Sequence, residues 1–344
     1  MTMRAEKNLS VAGVTLTLTS EETALLERAY AHLSELVAFV PASESGRARL
    51  RLEPRRLPDL PGETIYQASA LVVKRVGEGF SLRCGAAQLQ LRSNGNVLSA
   101  HCFLADDFGQ HSAYEQREFF LLGLLMLLRP QGCYGLHACG LERHGAGLLL
   151  VGASGSGKTT TSLQLIDQGW RYLSDDAVLL RQEASGDVRA HAFRRGFSCT
   201  AETLAYFPGL AGASEFGDPG GKRVVYLESA APGSSPFTPH CTPSSIVFPT
   251  LAGTASTRLR PLSNAQSLLR LCQQSAGIMT DVAVSQGQLT SLTALTLQAR
   301  SFELLLGQDA LEQPDLAHTL ITQTLTVQPL TEGAAHREAP VCAS

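Results

Sequence analysis

One glycine-rich stretch carries residues whose types and spacing suit phosphate binding. It runs Gly152-Ala-Ser-Gly-Ser-Gly-Lys-Thr159 and fits the pattern G-x-x-x-x-G-K-[ST] at every fixed position. Glycines permit backbone conformations closed to residues with a Cβ, so successive N–H groups can point at phosphate oxygens. We therefore predict a P-loop whose nucleotide-binding residues are Gly152, Ala153, Ser154, Gly155, Ser156, Gly157, Lys158, Thr159 and Thr160.

The last residues of this loop suggest what would bind there. Lys158 would reach the β- and γ-phosphates of a nucleotide, and the Thr159 hydroxyl would ligate a magnesium ion. The start of a helix at Thr159 would add its positive dipole end. We expect ATP and Mg²⁺ at this loop, and a chance glycine turn is the alternative.

Two adjacent carboxylates, Asp175 and Asp176, follow the loop after only one helix. Most P-loop proteins place their acidic metal-binding residue on a strand much later in the sequence. A carboxylate pair at a strand end, facing a phosphate loop, suits metal binding and proton acceptance from an attacking hydroxyl. The alternative is that the pair forms a solvated turn.

Local periodicity predicts the elements that position these groups. Leu148 to Val151 reads as a buried strand that leads into the loop. Thr160 to Gln168 predicts a helix, with leucines at 163 and 165 and Ile166 facing inward. Gly169 ends that helix, and Trp170 to Ser174 predicts the strand that delivers the acidic pair.

This region resembles the bacterial HPr kinase/phosphorylase family, whose catalytic core is similar to that of phosphoenolpyruvate carboxykinases. The resemblance covers about Leu136 to Arg181 well and extends weakly to about Leu306. The residues that carry it are Leu136, His137, Glu142, the Gly152 to Thr159 loop, Gly169, Asp175 and Asp176. It implies an α/β P-loop kinase core of this type that transfers the γ-phosphate of ATP to a serine hydroxyl of a protein, peptide or small molecule.

The resemblance also implies roles for single residues. His137 would lie beside the acidic pair, Asp175 would take the proton of the acceptor serine, and Asp176 would help hold the metal with Thr159. The family's later Glu-Ile-Arg-Gly segment corresponds at best to Phe193-Arg-Arg-Gly196, which keeps Arg195 and lacks the Glu. A guanidinium suits the charge on a transferring phosphoryl group, so Arg195 joins the catalytic candidates, with a surface arginine as the alternative. The phosphorylase half-reaction and HPr as acceptor stay open.

Two other functions are compatible with the loop. A regulatory or transport ATPase is one, because Gly-Lys-Thr-Thr after the glycines also resembles transporter ATPases. Against it, the chain has no Leu-Ser-Gly-Gly-Gln signature and no long apolar strand that ends in Asp-Glu. The other is a protein that binds nucleotide and transfers nothing.

Composition and charge limit the partners and the cellular location that we expect for this protein. The chain has 344 residues, 44% of them hydrophobic and 17% charged, with a net charge of -3 that gives no reason to expect nucleic acid or an anionic membrane. Its longest apolar run, Phe119 to Leu128, is about half the roughly 20 residues that span a bilayer. The N-terminus lacks the apolar core of a signal peptide, so we expect a cytoplasmic protein.

The eight cysteines form no C-x-x-C pair and are expected to be free thiols. Resemblance to HPr kinases suggests a homo-oligomer.

The length allows two domains. Residues 1–132 predict a smaller α+β module, with short strands punctuated by glycines and a tight hairpin at Asn94-Gly95. We expect the short strands between Tyr66 and Phe103 to form an antiparallel sheet, and a helix over Tyr114 to Leu128 to lead into the catalytic domain. That domain spans 133–332, and residues 333–344 are expected to be a disordered tail.

Overall fold

The computed structural model describes residues 5–36, 46–94, 97–194, 196–217, 221–227, 236–275 and 282–326. Within these ranges the chain forms a mixed α/β fold with sheets of eight, six, four and three strands. The predicted α/β class is confirmed. The expected tail at 333–344 and the candidate Arg195 lie outside the described residues.

The N-terminal part folds as one large sheet with two helices. Its elements are β1 (Ala5–Val11), β2 (Val14–Ser20), α1 (Thr23–Leu36), β3 (Gly46–Leu52), β4 (Glu63–Ala68), β5 (Leu71–Val76), β6 (Gly79–Cys84), β7 (Ala87–Asn94), β8 (Val97–Phe103) and α2 (Ala113–Leu128). The strand order is β1-β2-β3-β8-β7-β6-β5-β4. Phe119 and Phe120 of α2 pack with Phe108 in the core that covers this sheet.

The strands from β4 to β8 pair antiparallel, as the sequence between Tyr66 and Phe103 predicts. The sheet as a whole is mixed. Strand β3 pairs in parallel with both β2 and β8. Because α1 lies between β2 and β3 in the chain, it supplies the crossover that a parallel pair requires. Strands β1 and β2 form an antiparallel hairpin, with its turn at Ala12 and Gly13.

The remaining elements build the other three sheets. They are β9 (Cys133–Leu136), β10 (Ala138–Arg143), β11 (Ala146–Val151), α3 (Lys158–Asp167), β12 (Arg171–Ser174), β13 (Val178–Gln182), β14 (Val188–Ala192), β15 (Phe197–Cys199), α4 (Ala201–Tyr206), β16 (Ser214–Gly217), β17 (Arg223–Val225), β18 (His240–Cys241), β19 (Pro243–Leu251), β20 (Arg258–Leu262), α5 (Asn264–Ser275), α6 (Val282–Gln298), β21 (Arg300–Leu306), α7 (Asp309–Glu312) and α8 (Pro314–Thr326). The strand orders are β12-β10-β11-β19-β21-β20, β18-β14-β13-β9 and β15-β17-β16. Within the described ranges, no helix combines the length and the apolar character needed to cross a bilayer.

Strand directions in the six-stranded sheet bring several strand ends to one edge. Strand β10 lies between β11 and β12 and is antiparallel to both, so β11 and β12 point the same way. Strands β19 and β21 run parallel to β11. The carboxyl ends of β11, β12, β19 and β21 therefore lie at the same edge, where ligands of α/β sheets are usually bound.

Strand β11 is buried on both faces, as its continuous apolar sequence predicts. Leu148 and Leu150 face a core cluster that contains Trp170. Leu149 and Val151 face a second cluster on the opposite side. All four side chains are fully buried, so β11 is a rigid base for the loop that follows it.

We predict that Leu149→Ala lowers the free energy of unfolding by about 2–5 kcal/mol, because it removes buried contacts and leaves a cavity. The matched control is Leu297→Ala on α6, whose side chain is 73% exposed. The control should change stability by less than about 0.5 kcal/mol. Urea unfolding measures both, and an equal loss in the two variants would contradict this account of the core.

Candidate active site

The loop between β11 and α3 has the backbone that the glycine pattern predicts. Gly155 and Gly157 adopt left-handed conformations, with φ of 81° and 98°. The backbone angle at Gly157 favours glycine, and a Cβ there would lie 2.6 Å from Leu306 Cδ1, so the leucine side chain would have to move. Helix α3 begins at Lys158, which places its first N–H groups and the positive end of its dipole at the loop.

Lys158 is held inside the site rather than extended into solvent. It is 4% exposed, and its Nζ donates hydrogen bonds to the carbonyl oxygens of Gly152 (2.7 Å) and Ala153 (3.0 Å). Nζ also lies 3.0 Å from His137 Nε2. A lysine has only donors, so Nε2 accepts and the ring proton is on Nδ1. Burial and the Lys158 charge lower the pKa of His137, which keeps the ring neutral.

Asp175 is fully buried and is surrounded by donors. Its Oδ1 accepts hydrogen bonds from the Cys139 thiol (Sγ–Oδ1 2.8 Å) and from the Thr159 hydroxyl (3.1 Å). Its Oδ2 accepts from the backbone N–H of Ser198 at 2.9 Å. One carboxylate thus ties β12 to β10, to the first turn of α3 and to β15.

The pKa values around this carboxylate are shifted. Burial, and then the negative charge of Asp176, raise the pKa of Asp175 to about 6, while the Cys139 and Ser198 hydrogen bonds oppose that shift. Burial and the adjacent Asp175 charge raise the pKa of the Cys139 thiol well above its usual value. Cys139 therefore keeps its proton and acts as a donor.

Asp176 occupies a different environment from its neighbour. Its φ is 64°, an uncommon left-handed value for a residue other than glycine, and its side chain is 16% exposed. The Arg194 guanidinium lies 3.4 Å from Asp176 Oδ2. Burial alone would raise the pKa of Asp176, but the charges of Arg194 and Lys158 hold it below its ordinary value. Asp176 is therefore ionised at neutral pH.

Arg194 connects the acidic pair to the N-terminal sheet. The Ser174 hydroxyl accepts from the backbone N–H of Arg194 at 2.7 Å, which fixes this segment beside the end of β12. Burial would lower the pKa of the Arg194 guanidinium, but Glu118 and Asp176 raise it. Glu118 belongs to α2, where it forms an ion pair with the buried Arg117 at 3.4 Å. Side chains of α2 therefore contribute to the electrostatics of the acidic pair.

A cavity of about 400 Å³ opens beside the loop. Residues of the loop, Asp176 and Lys222 are among those that line it. Lys222 Nζ donates to Ser154 Oγ at 3.0 Å, so a second cation sits over the loop. The cavity is of the size that small ligands usually occupy.

The structure brings most of the predicted residues together. His137, Lys158, Thr159, Asp175 and Asp176 contact one another directly or through a shared partner, and Ser154, Gly155, Gly157 and Thr160 line the cavity with Lys158 and Thr159.

Sequence reasoning missed two contacts of Asp175. Cys139 was predicted only to be a free thiol, and the available signal was its position on β10, two residues after His137. Ser198 had no signal, because β15 belongs to another sheet and meets Asp175 only in the fold.

The oxygen atoms of this site are suitable ligands for magnesium. Thr159 and the two carboxylates supply oxygen ligands, which Mg²⁺ prefers, together with positions for water. Among the described residues, no three His, Cys, Asp or Glu side chains converge on a metal site, so a dedicated protein cage of those residues is not present there. The loop also fits phosphate, because a Cβ on Gly152 would come 2.8 Å from Ser156 Oγ and distort the cradle.

Comparisons with known proteins relate part of the chain to HPr kinases. Residues 102–201, which contain the loop and the acidic pair, match the family model described as SynChlorMet cassette protein ScmC. An HPr kinase/phosphorylase of Bacillus pumilus is 44% identical over 48 residues, which are 14% of this chain and 16% of that protein. A putative HPr kinase/phosphorylase of Fusobacterium nucleatum is 43% identical over 53 residues, 15% of this chain and 9% of that protein.

These matches confirm the predicted relationship to the HPr kinase/phosphorylase family for that part of the chain. The chain covers only 16% of the length of the first of these relatives. A structure of an HPr(Ser) kinase/phosphatase from Coxiella burnetii shares 16% identity, with 55% of this chain and 88% of that chain covered at a TM-score of 0.29.

We predict that Gly157→Ala weakens ATP binding by at least about tenfold. A Cβ at a left-handed φ costs roughly 1–2 kcal/mol, and the contact with Leu306 adds to that cost in the loop itself. The matched control is Gly186→Ala, at φ 93° in the turn between β13 and β14, where nothing lies within 4 Å of the added Cβ. Calorimetric titration with ATP and Mg²⁺ should show parental affinity for the control, and parental affinity for Gly157→Ala would refute the assigned loop geometry.

Proposed function

We propose that this protein is an ATP- and Mg²⁺-dependent phosphotransferase that transfers the γ-phosphate to a serine hydroxyl of a protein, peptide or small molecule. The observation that carries the proposal is the direct hydrogen bond between Thr159 of the loop and Asp175 of the acidic pair. It brings the phosphate loop and the acidic pair within one site, which is what phosphoryl transfer to a hydroxyl needs. The partial likeness to HPr kinase/phosphorylases supports the same reaction class.

In this proposal the residues of the loop bind and orient ATP, the phosphate donor. Backbone N–H groups of the loop and of the first turn of α3 donate to phosphate oxygens, and Lys158 turns from the loop carbonyls towards the β- and γ-phosphates. Thr159 and the carboxylates would hold Mg²⁺, which when bound offsets the charge of the triphosphate. His137 remains neutral and limits the positions of Lys158.

The geometry favours roles for Asp175 and Asp176 that are the reverse of those that the family resemblance implies. Asp175 is fully buried and already accepts from Thr159, Cys139 and Ser198, so it is suited to orient the metal-binding hydroxyl of Thr159. Asp176 lines the cavity and is ionised. We therefore assign proton acceptance from the serine hydroxyl to Asp176 and metal support to Asp175.

For the phosphate acceptor we propose a chemical group, a serine hydroxyl, and not a particular molecule. A serine hydroxyl fits a site that offers a carboxylate base next to a phosphate loop. HPr appears in the names of the relatives, while the segment Phe193–Gly196 of this chain lacks the family's Glu. We propose a serine acceptor other than, or in addition to, a phosphocarrier, and a homo-oligomeric enzyme in the cytoplasm. Relatives of the family that act on peptides or free serine define the panel to be tested.

We predict that Lys158→Ala lowers ATP turnover by about two orders of magnitude or more, the scale of a lost electrostatic contact to the transferring phosphate. The matched control is Lys7→Ala on β1, a lysine that pairs with Glu27 far from the loop in sequence and sheet. Turnover is followed as ADP release in the presence of Mg²⁺. Equal turnover by parent and Lys158→Ala would remove the basis for the P-loop assignment.

The two aspartates give a second test, because an asparagine keeps the shape of aspartate and cannot accept a proton as a base. Asp176→Asn should lower phosphate transfer by roughly 10²–10⁴-fold while Mg·ATP binding stays close to parental. Asp175→Asn should instead raise the Mg²⁺ concentration needed for half-maximal activity. Transfer is measured by mass spectrometry on serine peptides, free serine and a phosphocarrier, beside an assay for inorganic phosphate.

Two outcomes of that experiment would change the assignment. If Asp175→Asn abolishes transfer at saturating Mg²⁺ and Asp176→Asn does not, the roles are those implied by the family resemblance. Steady ATP hydrolysis with no phosphorylated acceptor, unaffected by either substitution, would make the protein a regulatory ATPase.

A further inference from the structure

Lys222 lies over the phosphate loop although it is distant from that loop in the sequence. Its Nζ donates to Ser154 Oγ at 3.0 Å, and its side chain lines the cavity together with Lys158, Thr159 and Asp176. The glycine-rich pattern that identifies the loop contains one lysine, Lys158, and does not include a second. The fold therefore brings to the site a cation that the loop pattern does not require.

The three-stranded sheet β15-β17-β16 carries Lys222 to this place. Lys222 directly precedes β17, which pairs antiparallel with β15 so that Cys199 lies opposite Arg223. The backbone N–H of Ser198 on β15 donates to the buried Asp175 at 2.9 Å, which attaches this sheet to the end of β12. The lysine is therefore positioned by the same sheet that supplies a donor to the acidic pair.

A second contact joins this part of the chain to the helix that follows the loop. Thr203 of α4, the helix after β15, and Thr160 in the first turn of α3 share a hydrogen bond between their hydroxyls at 3.1 Å. Together with the bond from Ser198, this contact sets the distance between the sheet and the loop. The place of Lys222 thus rests on more than its own bond to Ser154, which can be exchanged for a bond to a phosphate oxygen.

The charge of Lys222 acts on the acidic pair as well as on the loop. Burial raises the pKa of Asp176, and Arg194 opposes this shift most strongly, but Lys158 and Lys222 also lower that pKa. The two lysines approach Asp176 from different elements, Lys158 from the start of α3 and Lys222 from the three-stranded sheet. A phosphoryl group that passes from ATP on the loop to a hydroxyl at Asp176 crosses the space beside both of them.

We propose that Lys222 is a further catalytic residue, whose ammonium group binds the γ-phosphoryl group while that group moves from the nucleotide to the acceptor. This inference rests on the proposed function and deepens it, because it adds a residue of a separate sheet to the transfer step. In that step the serine Oγ forms a bond to the γ-phosphorus, the bond from the phosphorus to the β,γ-bridging oxygen breaks, and its electron pair remains on ADP. The proton of the serine hydroxyl passes to Asp176. Lys222 transfers no proton and supplies positive charge and N–H donors to the oxygens of the moving group.

The first test compares two nucleotides that differ only in the γ-phosphate. Lys222→Met keeps most of the length of the side chain and removes its charge, so it should weaken ATP binding about tenfold, the scale of one lost hydrogen bond to a charged group, and leave ADP binding unchanged. Calorimetric titration in the presence of Mg²⁺ measures both affinities without turnover. The matched control is Arg223→Met, an exposed neighbour outside the cavity lining, which should bind both nucleotides as the parent does.

The second test separates catalysis from binding. At saturating ATP, Lys222→Met should lower the rate of ADP release by about two orders of magnitude, because a contact to the transferring group stabilises the transition state. Arg223→Met should keep the parental rate. Weaker ATP binding with a parental rate at saturating ATP would reduce Lys222 to a ground-state contact and overturn the catalytic assignment.

Lys158→Ala, titrated in parallel, distinguishes a failure of this inference from a failure of the proposed function. It should weaken ATP and ADP together, because Lys158 reaches both the β- and the γ-phosphate. If Lys158→Ala weakens neither nucleotide, the proposed function fails. If it weakens both while Lys222→Met keeps parental ATP affinity and turnover, the assignment of Lys222 alone is refuted. An equal loss of ATP and ADP affinity in Lys222→Met would also refute it, because the lysine would then bind phosphates that are not transferred.

Discussion

The buried carboxylate of Asp175 is the interaction on which the site depends. It accepts hydrogen bonds from Cys139 on β10, Thr159 at the start of α3 and Ser198 on β15, and so links three elements at one point. A buried charge is costly unless it is hydrogen-bonded, so these donors and this carboxylate require one another. The strand directions supply the meeting place, because β10 separates β11 from β12 and leaves their carboxyl ends at a common edge.

The residues that act locally could be predicted from the sequence. The loop pattern, the helix after it and the acidic pair are all determined by neighbours in the chain, and the structure places them as the spacing indicated. The contacts that the sequence did not indicate are long-range. The parallel pairing of β3 depends on which strand lies next to it after a crossover, and the pattern of one strand is the same in either case. The contact from Ser198 depends on how a three-stranded sheet packs against β12, which no local spacing records.

The site also shows why two adjacent aspartates need not be equivalent. Asp175 has its oxygens occupied by donors and feels the charge of its neighbour, which raises its pKa. Asp176 faces Arg194 and Lys158, which lower its pKa. Environments that push two neighbouring carboxyl groups in opposite directions separate their chemical roles. Helix α2 of the N-terminal sheet takes part in this separation, because the charges of Glu118 and Arg117 act on Arg194.

The backbone at Asp176 reveals a conflict between folding and chemistry. The described residues other than glycine with positive φ are Ala12, Ser69, His144 and Asp176, and the first three sit in tight turns between paired strands. Asp176 instead links strands of two different sheets, where its left-handed backbone turns the chain at the edge of the cavity. Glycine would adopt this conformation with less strain. The carboxylate at 176 is therefore kept at a cost in backbone energy, at a position where its charge faces Arg194 and the cavity.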